Sequence, residues 1–283
     1  MASPTDSDMT RRGFTAISVA TGATVLAGSS QAAVMDMDMK IKTPDGVCDA
    51  VLCHPTEDAP AGGWPAVLIW TDIMGLRPAF RDMGRRLAAQ GYVVLVPNPF
   101  YRTRKAPVLD GPINWASPED RAKLMALRAP LTPEAVARDA QAMFAFLDSQ
   151  RMVNRKIKAG VQGYCMGGPM TFQTAAALPD RIGAVGSFHG GGLVTADADS
   201  PHLLIAKSSA AYLVAIAAND DEKDPAAKDT LKATFAAQKR PATVEVYAGA
   251  QHGWCVPGSA IYNEAAAEKA WTALLDLYKR NLV

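Results

Sequence analysis

The chain has 283 residues, 49% of them hydrophobic and 20% charged, with a formal net charge of +1. Those proportions suit one globular domain with a sizeable core, because α/β folds of roughly 200–250 residues commonly close as a single unit. A charge balance this even excludes the basic footprint of a nucleic-acid binder or of a protein that rests on an anionic membrane, and it leaves a small neutral or singly charged molecule as the expected partner.

The first 33 residues read as a targeting segment. Arg11 and Arg12 precede a mildly apolar run from Ala16 to Gly28, and Ser30-Gln31-Ala32 offers small residues where a signal peptidase reads. The run is too short and too weakly apolar for a stable membrane span. The arginine pair resembles a twin-arginine export signal, so the expectation is a folded protein delivered to the periplasm, with residues 34–283 as its one domain and no membrane association after cleavage.

From there, apolar stretches of strand length alternate with longer helical patterns. Strands are predicted at Met37–Lys42, Val47–His54, Ala66–Trp70, Val93–Pro97, Lys158–Gly163, Ala184–His189, Tyr212–Ala218 and Thr243–Tyr247. Helices are predicted at Phe80–Gln90, Glu119–Ala129, Pro133–Leu147, Met166–Leu178, Ala226–Gln238 and Asn263–Asn281. Runs such as Val67-Leu68-Ile69-Trp70 have no polar face, which suits strands covered by helices on both sides. The fold class that follows is a doubly wound α/β fold with a mostly parallel central sheet of about eight strands. The first two strands lack an intervening helix and should form an antiparallel hairpin at one edge. Residues Arg102 to Pro118 show no period and are read as an ordered loop, possible cover for a site.

Of the four cysteines, Cys48 and Cys53 fall five apart in one predicted strand and should face opposite sides, which argues against a bridge between them. No spacing of Cys and His suggests zinc, and no metal or organic cofactor is expected. Cys165 stands apart. It occupies Gly163-Tyr164-Cys165-Met166-Gly167-Gly168, directly after a strand and before a helix, which is the Gly-x-nucleophile-x-Gly elbow with Cys in the reactive place. The turn is tight, so its neighbours must be small, and it sets the sulfur at a helix N-terminus that favours thiolate.

A general base is expected on the loop after the last strand, where Tyr247-Ala248-Gly249-Ala250-Gln251-His252-Gly253-Trp254 supplies His252. His54 and His202 lie in turns, and His189, at the end of a strand, reads as structural. The acid that orients the base belongs after Tyr212–Ala218, where spacing from Ala217 selects Asp220 and spacing from Pro225 selects Asp221. Both stay candidates, with Asp224 behind them.

These elements together resemble the dienelactone hydrolase family over nearly everything from about residue 40 onward. The resemblance is carried by Trp70-Thr71-Asp72-Ile73-Met74-Gly75-Leu76-Arg77, by Pro97-Asn98-Pro99-Phe100-Tyr101-Arg102, by the elbow, and by Gly-Ala-Gln-His-Gly. It implies an α/β-hydrolase fold with an oxyanion hole made by the backbone N–H groups of Ile73 and Met166. It also implies an acidic residue near the nucleophile, here Asp72 where the family has Glu, and a substrate carboxylate held by arginines. Arg102 matches one of those arginines, whereas the position four residues after the histidine is Val256. Arg102, Tyr164 and Trp254 are the expected substrate contacts. The function expected is hydrolysis of a carboxylic ester or lactone through a thioester acyl-enzyme, by a monomer. A general thioesterase or acyl transferase, or a non-catalytic binding protein on the same fold, are the alternatives.

Overall fold

The computed structural model describes residues 33–111 and 113–283. The paired arginines and the apolar run behind them lie outside the described residues. An eight-stranded sheet forms the centre, in the order β1-β2-β4-β3-β5-β6-β7-β8. Its strands are β1 (Val34–Thr43), β2 (Gly46–Pro55), β3 (Ala66–Trp70), β4 (Val93–Pro97), β5 (Ala159–Tyr164), β6 (Ile182–Phe188), β7 (Ala211–Ala217) and β8 (Ala242–Tyr247). The last six run parallel; β1 and β2 form the antiparallel hairpin at one edge, closed between Thr43 and Gly46. β1 starts three residues before the predicted strand, because Val34, Met35 and Asp36 pair with Pro55, His54 and Cys53 of β2 and so extend the hairpin ladder.

Every residue of β3, β4 and β5 is buried, as continuous apolar runs require when helices cover both faces. One face packs against α3 (Pro133–Ser149), α4 (Gly167–Ala177) and α6 (Ala227–Ala237), with Leu124 of α2 (Pro118–Arg128); the other packs against α1 (Pro78–Ala88) and α7 (Glu264–Asn281). Cys48 belongs to the first layer and Cys53 to the second, as their odd spacing demands, and both are free thiols. Local chemistry sets the helix starts: Ser117, Thr132 and Asn263 each accept a backbone N–H three residues on, and Pro118 and Pro133 take first-turn positions that lack an N–H acceptor anyway.

Two short elements escape the periodicity of the sequence. A 3₁₀ helix spans Pro201–Lys207, and α5 (Ala218–Lys223) follows β7 without a linker. Both are too brief for a 3.6-residue pattern to emerge. The strand order reverses between β3 and β5, so the loops leaving their carboxyl ends part and open a crevice there.

Candidate active site

The elbow occupies one lip of that crevice. Cys165 leaves β5 with φ +52°, a conformation that costs energy for a residue with a Cβ, and its N–H is held by the Phe188 carbonyl at 3.0 Å. Two glycines make the turn possible. A Cβ on Gly163 would lie 2.1 Å from the Gly167 carbonyl oxygen, and one on Gly167 would lie 2.6 Å from the Trp70 carbonyl oxygen. The chain therefore passes itself and β3 at distances that exclude any side chain, and the half-buried Cys165 is raised above the strand ends.

His252 meets it from the loop after β8. Its Nδ1 lies 2.6 Å from Asp220 Oδ2, and its backbone N–H donates to Asn219 Oδ1 at 2.8 Å. The Ala218 N–H donates to the Ala250 carbonyl at 2.9 Å, so α5 and the histidine loop are tied by backbone and side chain together. Burial opposes charge on His252, but the bonds to Asp220 and to the Cys165 thiol prevail and raise its pKa from 6.5 to about 10. Asp221, adjacent to Asp220, turns away and binds Lys228 Nζ at 2.8 and 3.0 Å. Of the two aspartates that spacing left open, only Asp220 reaches the imidazole.

A cavity of about 520 Å³ joins Cys165, His252 and His189 to the loop after β3. Its wall is mainly apolar, with Ile73, Met74, Val256 and Ala260 set around the sulfur and Trp115 and Ile261 exposed at the rim. Asp72 and Arg77 supply charge of both signs. The guanidinium donates to both carboxylate oxygens, at 2.6 and 2.7 Å, and Met74 N–H adds a third bond at 3.0 Å. Asp72 is thus engaged by Arg77, five residues on, and makes no hydrogen bond to Cys165 among the described residues. The Ile73 and Met166 N–H groups have no internal acceptor among the described residues.

Three expected substrate contacts lie elsewhere. Arg102 binds the buried Asp139 with two bonds of 2.8 Å and also binds Asp45, and it does not line this cavity. The demand of a nearly inaccessible carboxylate for a cation outweighs exposure to a pocket. Tyr164 directly precedes Cys165 and so points to the other face of the sheet, where Gln162 donates to its hydroxyl at 2.8 Å and Phe188 stacks on its ring. Trp254 is wholly buried, stacked on Tyr247 and set edge-to-face against His189. Arg77, Asn219, Trp115 and Ile261 also belong to the site, and no motif or spacing singles them out. The Arg77 pairing was foreshadowed only by its five-residue distance from Asp72; the others sit in loops or a six-residue helix.

A profile of the dienelactone hydrolase family matches residues 48–282. A carboxymethylenebutenolidase of Rhodococcus opacus is 26% identical over 234 residues, which cover 81% of this chain and 85% of that protein. Among solved structures, a dienelactone hydrolase from Anabaena variabilis superposes with a TM-score of 0.61 at 15% identity, covering 88% of this chain and 99% of that one. A dienelactone hydrolase-like promiscuous phosphotriesterase from metagenomic libraries does so with a TM-score of 0.71 at 20% identity, covering 89% and 100%. The structural likenesses establish the fold and the family match establishes kinship: the chain belongs to the dienelactone hydrolase family and is a carboxylic-ester hydrolase of the α/β-hydrolase fold.

Proposed function

We propose that the chain hydrolyses neutral carboxylic esters or lactones through a Cys165–His252–Asp220 triad and a thioester intermediate. The observation that carries this reading is the 2.6 Å contact between His252 Nδ1 and Asp220 Oδ2, on a ring that lines the same cavity as Cys165. Asp220 fixes the tautomer and supports the charged ring, which leaves Nε2 for the thiol. Sγ gives its proton to His252 and attacks the carbonyl carbon, while the oxygen, now negative, takes the N–H groups of Ile73 and Met166. Collapse expels the alkoxide, which leaves with the proton from His252. Water then gives a proton to His252 and its hydroxyl attacks the thioester, releasing the acid and restoring the sulfur.

Neutral substrates are favoured by the wall. Val256 is buried against the cavity, Arg102 is spent on two aspartates, and Arg77 is neutralised by Asp72. A charge-assisted hydrogen bond contributes about 1.5–3 kcal/mol, so a substrate carboxylate forgoes roughly ten- to a hundredfold in binding for each cation it fails to find. Turnover of a chromogenic neutral ester by the native chain and its loss in Cys165→Ala test the mechanism. kcat/KM for dienelactone against a neutral unsaturated lactone tests the selectivity, and a strong preference for the anion would sink it. We also propose that Arg11 and Arg12 direct export of the folded protein: replacing both with lysine should leave precursor in the cytoplasm, and unchanged periplasmic protein would contradict it.

A further inference from the structure

His189 has no part in the triad, yet it sits inside the site. It follows β6 with φ +40°, one of three non-glycine residues with positive φ among the described residues, the nucleophile being another. Its N–H donates to the Ala215 carbonyl at 2.8 Å, while the carbonyl of the preceding Phe188 holds Cys165 N–H. The backbone kink at His189 is therefore one residue from the bond that fixes the nucleophile.

The ring is 1% exposed and wedged between neighbours. Its centroid lies 5.0 Å from that of His252 at 64°, and 5.1 Å from that of Trp254 at 66°. Neither ring nitrogen has a hydrogen-bond partner among the described residues. Burying an imidazole in this state costs stability that a phenyl ring of similar shape would not cost. Packing alone does not explain a histidine here.

We propose that His189 is a positioning residue for His252, whose neutral, unpartnered imidazole holds the catalytic ring in place and solvates its charge when it takes the Cys165 proton. This rests on the triad reading above. A neutral imidazole carries a large dipole, and with no competing partner on either nitrogen its tautomer can set that dipole toward a charged neighbour while the wedged ring stays in place. The same burial prevents His189 from taking the proton itself: its pKa falls well below the usual 6.5, first through burial and then through His252. The proton has one place to go. The other titratable groups around the pair are Asp220 on α5, the Asp72–Arg77 pair after β3, Cys165 and Tyr164. His189 differs from all of them in having no partner.

The test compares alkylation of Cys165 by iodoacetamide at pH 7, kcat and KM for a neutral aryl ester, and Tm, in the native chain and in His189→Phe, His189→Gln and His252→Ala. His189→Phe is expected to lower both the alkylation rate and kcat about tenfold with KM nearly unchanged, and to leave Tm equal or higher because an unsatisfied buried group is gone. His189→Gln, which keeps a neutral dipole, should retain most of both rates, and it carries the comparison if the phenylalanine variant fails to fold. Native rates in His189→Phe, or a fall in kcat matched by a fall in Tm, would overturn the proposal and leave the triad standing, provided His252→Ala slows alkylation. If His252→Ala alkylates as fast as the native chain, the Cys165–His252 pair does not exist and both readings fall.

Discussion

Asp220 and Asp221 occupy consecutive positions of one helical turn, so their side chains diverge, and only one can face the histidine loop. Asp220→Asn is therefore expected to mis-set the His252 tautomer and lower turnover by up to about 10⁴, whereas Asp221→Asn should cost little beyond its bond to Lys228. Steady-state kinetics of the two variants check this, and equal losses would mean that the turn is aimed otherwise in solution. Among thiols the division is as sharp. Burial raises the pKa of Cys53 to about 12 and pushes those of Cys48 and Cys255 up as well, while Cys165 is the partly open one. Iodoacetamide in the folded protein should label Cys165 alone, read by peptide mapping.

At the scale of elements, the crossing of β5, α4 and β3 is set by absent side chains. Gly163→Ala would drive a methyl group into the Gly167 carbonyl, and the expected loss is about 1–3 kcal/mol or more, measured by denaturant unfolding. The elbow was legible in the sequence for this reason: a motif whose glycines are demanded by contact distance leaves the same letters wherever it occurs. The strands were legible because burial on both faces removes every polar residue from β3 and β4. The carboxylate that meets His252 was half legible. Asn219 to Asp224 offered three aspartates, and nothing short of α5 itself fixes which one turns inward. Tyr164 and Trp254 were misread because proximity in sequence to Cys165 and His252 says nothing of which face of the sheet a neighbour takes. The cavity rim was not legible, since Trp115 and Ile261 project from segments with no period.

Over the whole molecule, the Arg102 cluster joins parts that are far apart in the chain: Asp45 at the β1–β2 turn, Asp139 on α3 and the loop after β4. Arg102→Ala would leave the buried Asp139 without its cation, and a loss of about 3 kcal/mol is expected, at the low end for such pairs because the guanidinium keeps some solvent contact. Activity per folded molecule on a neutral ester should hardly change; a selective loss of kcat would place Arg102 back in the site. The two adjacent histidines pull stability in opposite directions with pH. The depressed His189 binds fewer protons folded than unfolded, so its burial destabilises the fold as pH drops below about 6.5. The raised His252 binds more, so its contribution is complete below about 6.5 and is lost as pH rises toward about 10. Unfolding midpoints from pH 5 to 10 should show both limbs, and His189→Phe should flatten the acid one.

The crevice at the strand reversal draws its parts from residues 72 to 77, 165, 220 and 252, in an order that matches the growing chain. In synthesis Cys165 and the loop facing it are made long before His252, which follows β8 on a loop fastened by the Asn263 N–H donating to the Trp254 carbonyl just ahead of α7. Under the proposed triad, competence to hydrolyse an ester is thus the last property the chain acquires during synthesis. During synthesis, esterase activity should appear only after β8 and α7 have left the ribosome, and an assay of hydrolysis would report completion of the C-terminal segment rather than formation of the core.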